Sequence, residues 1–160
     1  MIITVTGSVG TGKTAISKKL AKKLKLVYVD VNGVIEKNKL RDRYIKKLDT
    51  YEVDISKLNA FLIKLINSSK KGLVIDSHLS HYLPEKNVDY CVVCKCDLSI
   101  LKKRLNLRKY NKAKIRENLD SEIFDVCLVE ALENKHEVIV IDTSSKSIGV
   151  CVDEITKKIK

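Results

Sequence analysis

The clearest chemistry in the sequence lies in residues 7–14, Gly7-Ser8-Val9-Gly10-Thr11-Gly12-Lys13-Thr14. The pattern is G-x-x-x-x-G-K-T, a phosphate-binding P-loop, and its context is the required one. An apolar, β-branched run, Ile2 to Thr6, precedes it, and a helical pattern follows. A tight loop whose backbone N–H groups converge on a polyphosphate needs glycine, because a Cβ would intrude and φ must be free. The free N–H groups and dipole of the following helix favour an anion. The spacing assigns phosphate binding to Gly10, Gly12, Lys13, Thr14 and Ala15. Lys13 supplies the mobile cation for the β- and γ-phosphates of ATP, and the Thr14 hydroxyl is a ligand for Mg²⁺.

A second candidate group is Asp76-Ser77-His78. Leu73-Val74-Ile75-Asp76 reads as a buried parallel strand ending in a carboxylate. Ligands in open α/β sheets lie at the carboxyl ends of strands, so Asp76 stands where a Walker B aspartate would hold Mg²⁺ through water. His78 has two readings: a group that orients water at the γ-phosphate, or a histidine that packs or caps the loop. The basic link around Arg104, Arg108 and Lys109 offers cations for a transferring phosphoryl group.

These residues need a frame, and the hydrophobic pattern supplies one. Short apolar runs at 2–6, 26–29, 73–76, 90–94 and 138–141 read as strands. Helical periodicity marks 13–24, a short helix in 31–38, then 55–67, 98–107, one long helix over 114–133 with Ile115, Leu119, Ile123, Val126 and Cys127 inward, and a last helix from 148 to 159. This alternation predicts a three-layer α/β/α fold of the P-loop NTPase type around a five-stranded parallel sheet. Residues 39–54 break the pattern as a charged excursion, either functional or a plain surface loop.

Bulk properties narrow the class. The chain has 160 residues, which suits one domain, and 44% of them are hydrophobic, too many for a disordered chain. No apolar run approaches the roughly 18 residues of a membrane span, and no secretory segment opens the sequence. The expectation is a soluble intracellular protein, cytoplasmic, or nuclear in a eukaryote. The net charge is +11. That suits polyanionic partners, nucleotides first and RNA as an option, and it equally suits a lysine-rich solvated surface. Aromatics are 5% of the chain, few for an RNA-reading surface. The five cysteines are odd in number, and the Cys91-Val92-Val93-Cys94 pair falls inside a strand. Buried free thiols are expected rather than zinc or redox chemistry. Asn134-Lys135-His136-Glu137 imitates a guanine-reading loop but precedes a strand instead of following one, which argues against a signalling GTPase.

The order of several segments resembles the adenylate kinase isoenzyme 6 family, of the coilin-interacting nuclear ATPase type, and its archaeal relatives. They are the P-loop, Asp76-Ser77-His78, Leu83-Pro84-Glu85, and Arg108-x-Tyr110-Asn111 running into Glu117-Asn118-Leu119-Asp120-Ser121-Glu122-Ile123-Phe124. The resemblance implies a broad-specificity nucleoside monophosphate kinase, ATP plus AMP giving two ADP, with ATPase activity. It also implies a part in small ribosomal subunit maturation, with a small-subunit ribosomal protein and pre-ribosomal RNA as partners. A nucleotide-switched assembly ATPase with little metabolic kinase role is the alternative. By the same match, residues 30–53 form the NMP-binding segment and 107–117 the lid. Lys13, Asp76, His78 and Arg108 are catalytic, with Arg104 as a second cation. Two departures stand out. Lys109 replaces the family's glycine in the lid, and Lys86 replaces an arginine, which removes a guanidinium fork.

Overall fold

The strand that leads into the P-loop, β1 (Ile2–Thr6), is the middle of the main sheet in the computed structural model, which describes Met1 to Lys160. Four strands join it in parallel: β2 (Val27–Asp30), β5 (Leu73–Asp76), β6 (Tyr90–Lys95) and β7 (Val138–Asp142), in the order β2-β5-β1-β6-β7. The chain runs outward from β1 to β2, returns to β5, then crosses over β1 to β6. That reversal leaves a crevice at the carboxyl ends of β1, β5 and β6, where ligands of such sheets sit. The register places Val5 beside Asp76 and Thr6 beside Val93, so Asp76 lies level with the root of the loop.

Alternation along the strands divides the core. On one face Ile3, Val5, Val74, Val92, Cys94, Ile139 and Ile141 meet Ile16 and Leu20 of α1 (Lys13–Leu24) and Cys151, Val152 and Ile155 of α7 (Ile148–Lys158). On the other, Leu73 and Ile75 meet α2 (Val31–Lys37) and Leu58 and Leu62 of α3 (Ile55–Ser68). Cys91 and Val93 meet Cys127 and Ala131 of α6 (Val126–Glu133). Leu101 and Leu105 of α4 (Leu98–Leu107) pack with Ile115 and Leu119 of α5 (Lys112–Ile123) beside the P-loop. All five cysteines are free and buried. Burial pushes the Cys91 thiol up to about 11 and Cys94 to about 12, so neither is a thiolate near neutrality.

Two elements differ from the sequence reading. The long helix over 114–133 is two helices, because Asp125 adopts the left-handed conformation at φ 51 and turns the chain. Aspartate tolerates that region better than most residues. Lys95 forms an ion pair with it. The turn rotates the expected stripe: Ile123 is exposed, and Glu122 is buried with Oε1 accepting from the Cys96 N–H at 3.1 Å. The excursion at 39–54 is a hairpin, β3 (Arg41–Ile45) and β4 (Thr50–Val53), paired antiparallel. It lacks strand periodicity because most of its residues are exposed, so burial imposes no apolar alternation.

Candidate active site

The P-loop takes the shape its glycines permit. Gly7, Gly10 and Gly12 have φ of 140, 90 and 88°. A Cβ on Gly7 would collide with the carbonyl of Cys94, so this loop approaches β6 as only glycine can. The loop is braced from both sides. Thr11 Oγ1 donates to the Ser8 carbonyl at 2.7 Å. Thr143, just past β7, donates from Oγ1 to the Thr11 carbonyl at 2.7 Å. Arg104 donates to the Thr143 carbonyl at 2.9 Å and to the Gly10 carbonyl at 3.3 Å.

Lys13 donates from Nζ to the Ser8 carbonyl at 2.9 Å, which keeps the ammonium inside the loop. Desolvation lowers its pKa from the ordinary value, while Cys94 and Asp76 act against that shift. The next residue, Thr14, donates from Oγ1 to Asp76 Oδ2 at 2.6 Å, and the Tyr28 hydroxyl donates to the same oxygen at 2.9 Å. Burial first, then the neighbouring Asp76 carboxylate, raises the Tyr28 pKa, so the phenol keeps its proton and remains a donor. The Thr14 hydroxyl and Asp76 carboxylate are hard oxygen donors, and no cluster of three histidine, cysteine, aspartate or glutamate side chains surrounds them. This donor set fits Mg²⁺, which binds through one or two protein oxygens, waters and substrate phosphates rather than in an all-protein cage.

A cleft of about 500 Å³ gathers Lys13, Thr14, Asp76, Ser77, His78 and Arg108, with Lys18 and Asn32 on its β2 side. His78 lines this cleft with its side chain exposed to solvent. Desolvation, then the Lys13 charge and His81, lower its pKa from 6.5 to about 4, so the imidazole is neutral at physiological pH. Arg108 is exposed and held only by a 3.3 Å contact to the Tyr110 hydroxyl. A second cavity, of about 410 Å³, shares Gly10, Gly12, Ala15 and Arg108 with the first and extends over Ile16, Leu107, Thr143, Ile148 and Cys151. A larger cavity of about 640 Å³ at Met1, Asp89 and Tyr90 lies at the amino ends of the strands and gathers no such chemistry.

The fold therefore brings together Gly10, Gly12, Lys13, Thr14, Ala15, Asp76, His78 and Arg108 around one crevice. Arg104 lines the second cavity with Gly10, Gly12, Ala15 and Arg108. Its guanidinium faces Gly10 and Thr143 and braces the loop. Sequence reasoning missed Tyr28 and Thr143. Thr143 directly follows a strand's carboxyl end, a position that was legible. Tyr28 carried no such mark, because its partner Asp76 lies on a strand 48 residues away. The hairpin tip meets the start of α5. Asn111 Nδ2 donates to the Lys47 carbonyl at 3.3 Å, and Lys114 Nζ donates to the Asp49 carbonyl at 3.2 Å.

A central parallel strand feeding a P-loop, with a carboxylate level beside it and cations over the crevice, defines a nucleotide-binding protein of the P-loop type. The comparisons agree. The family model described as an AAA domain matches residues 3–125. A "Putative adenylate kinase" of Methanocaldococcus jannaschii is 39% identical over all of this chain and 86% of its own. An adenylate kinase isoenzyme 6 homolog of Caenorhabditis elegans is 34% identical over 91% of this chain and 80% of its own. Among solved structures, a shikimate kinase from Bacteroides thetaiotaomicron superposes with a TM-score of 0.63 at 15% identity, covering 98% of this chain and 96% of that one. A gluconokinase from Sinorhizobium meliloti gives 0.56 at 15%, with 95% and 87% covered. At that identity the two structures speak for the fold alone. The chain belongs to the family of these adenylate kinase relatives.

Proposed function

We propose that the protein transfers the γ-phosphoryl group of ATP to a nucleoside monophosphate, AMP first, and also hydrolyses ATP. The observation that carries this reading is the meeting of Lys13, the Thr14–Asp76 pair, His78 and Arg108 in one cleft. The acceptor phosphate is already a nucleophile, so the work is positioning and charge neutralisation. Lys13 leaves the Ser8 carbonyl and follows the β- and γ-phosphates, while backbone amides from Gly10 to Ala15 hold their oxygens. Mg²⁺, when bound, neutralises charge and templates the phosphates, held by Thr14 and, through water, by Asp76. Arg108 has few protein contacts to give up and turns onto the transferring group, as Arg104 keeps the loop in shape. Residues 30–53 serve as the NMP-binding segment and 107–117 as the lid, so that closure excludes competing water.

The neutral imidazole of His78 favours hydrolysis as a second activity. A neutral ring nitrogen accepts a proton from a water beside the γ-phosphate, which an imidazolium does not. An assembly ATPase timed by a small-subunit ribosomal protein and pre-ribosomal RNA is the reading this supports beside the kinase. The resemblance to the isoenzyme 6 family favours those partners, and the +11 charge favours the polyanionic RNA. No helix is long and apolar enough to cross a membrane.

The test is a coupled assay across AMP, CMP, dAMP, UMP and GMP, with ATP hydrolysis measured alone. A kinase is strongly accelerated by one monophosphate, whereas a switch hydrolyses ATP without any. Lys13→Ala should lower both activities by about 10²–10³-fold, the usual cost of a lost charge-stabilising donor. Retained NMP phosphorylation in that variant would overturn the assignment.

A further inference from the structure

Behind the P-loop, β1 turns a polar side to the sheet face opposite α1. Thr4 and Thr6 are fully buried there. Thr6 is the last residue before Gly7, and its Oγ1 lies 2.7 Å from Nδ1 of His81. The other ring nitrogen of His81, Nε2, lies 2.7 Å from Oε2 of Glu130 in α6. The Tyr82 hydroxyl donates to that same carboxylate oxygen at 2.9 Å. The carbonyl of His81 accepts from Asn134 Nδ2 at 3.0 Å and from His136 Nε2 at 2.9 Å. The residues that imitate a guanine-reading motif thus serve to hold His81.

The partners settle the tautomer. A carboxylate only accepts, so Nε2 of His81 carries the hydrogen, and Nδ1 accepts from the Thr6 hydroxyl. Both ring nitrogens of His81 are paired, which apolar packing alone would not call for. What the relay holds is the turn that carries His78. Ser77 N donates to the Val5 carbonyl at 3.2 Å, and Ser80 Oγ donates to the Ser77 carbonyl at 2.8 Å. His81 completes the fastening, three residues beyond His78. The root of the P-loop and the turn that carries His78 are thereby hydrogen-bonded to α6.

We propose that Thr6, His81 and Glu130 form a positioning relay that sets His78 against the γ-phosphate position, with His81 a positioning residue that touches no substrate. This rests on the reading of His78 as the group that orients water. The experiment is a double-mutant cycle of His78→Ala and His81→Leu in the full chain, reading kcat and KM for ATP hydrolysis and the thermal midpoint of each variant. Displacement of a catalytic group by about an ångström can cost up to ~10²-fold, so His81→Leu should lower kcat by about ten- to a hundredfold and leave KM within about twofold. In the His78→Ala background His81→Leu should lower kcat no further. Glu130→Gln, whose amide oxygen still accepts from Nε2–H, should retain most of kcat, and Glu130→Leu should behave as His81→Leu. If His81→Leu does not fold, Thr6→Val cuts the relay at its other end with nearly the same shape and gives the same reading. Losses that multiply in the double variant, or a rise in KM alone, would overturn the relay while leaving His78 in its role. Full hydrolysis by His78→Ala alone would overturn that role and the relay with it.

Discussion

Asp76 and its two partners come from three elements that are distant in sequence. Thr14 opens α1, Tyr28 lies on β2, and Asp76 ends β5, yet both hydroxyls donate to the single oxygen Oδ2. In the proposed Mg²⁺ site, that would leave Oδ1 to accept from a metal-bound water. Thr14 can donate to Asp76 and offer its lone pairs to Mg²⁺ at once, a geometry a serine or threonine hydroxyl provides and an amide does not. Tyr28 contributes by orientation. Tyr28→Phe should raise the Mg²⁺ concentration needed for half-maximal activity about tenfold, in line with the cost of losing a group that orients a metal ligand. A Mg²⁺ titration of activity at saturating ATP checks it, and an unchanged midpoint would remove Tyr28 from the site.

At the scale of elements, the turn between α5 and α6 decides how the back of the site is built. With Asp125 in the left-handed region, α5 stays against α4 and α6 swings under β6 and β7, carrying Glu130 to His81. A straight helix through 124–126 would send Glu130 elsewhere. An L-residue with a plain Cβ pays roughly 1–2 kcal/mol in that conformation. Asp125→Ala should therefore destabilise the protein by about 1–2 kcal/mol, and Asp125→Gly should stay within about 1 kcal/mol of the parent. Urea unfolding of both variants measures the difference, and equal stability of the two would show that the turn is not set by φ. Lys109, at φ 56, occupies the same left-handed region.

For the whole molecule, stability is linked to pH through the histidines of the site. The His78 pKa lies near 4 in the folded chain against an ordinary 6.5, and desolvation lowers His81 as well. Both values are depressed on folding, so the unfolded chain binds more protons between these limits. The stabilisation is present above the ordinary value and is lost as pH falls through the folded one. The urea midpoint should drop as pH is lowered from about 7 to about 5, and His78→Gln should drop less than the parent over the same interval. A parent midpoint that rises on acidification would contradict the direction of both shifts.

The sequence by itself determined the chemistry of the ligand and the class of the fold. Gly7 to Thr14 is contiguous, and each of its residue types answers a local demand: φ freedom, a cation, a hydroxyl. The five strands of the main sheet were legible as short apolar runs, and in β5 and β6 the run is unbroken because both faces are buried. Asp76 was legible because it ends such a run. Only the tertiary structure decided what depends on juxtaposition. The exposed hairpin lacked a pattern because solvent on its faces asks for none. The break at Asp125 turned on a single backbone angle that helical periodicity does not register. Tyr28 on Asp76, Arg104 on Gly10, and Thr6–His81–Glu130 behind the loop are all pairings between distant segments. Local sequence constrains a residue's conformation and its face. Which distant polar group it meets is set by strand order and register, and those exist only once the chain has packed.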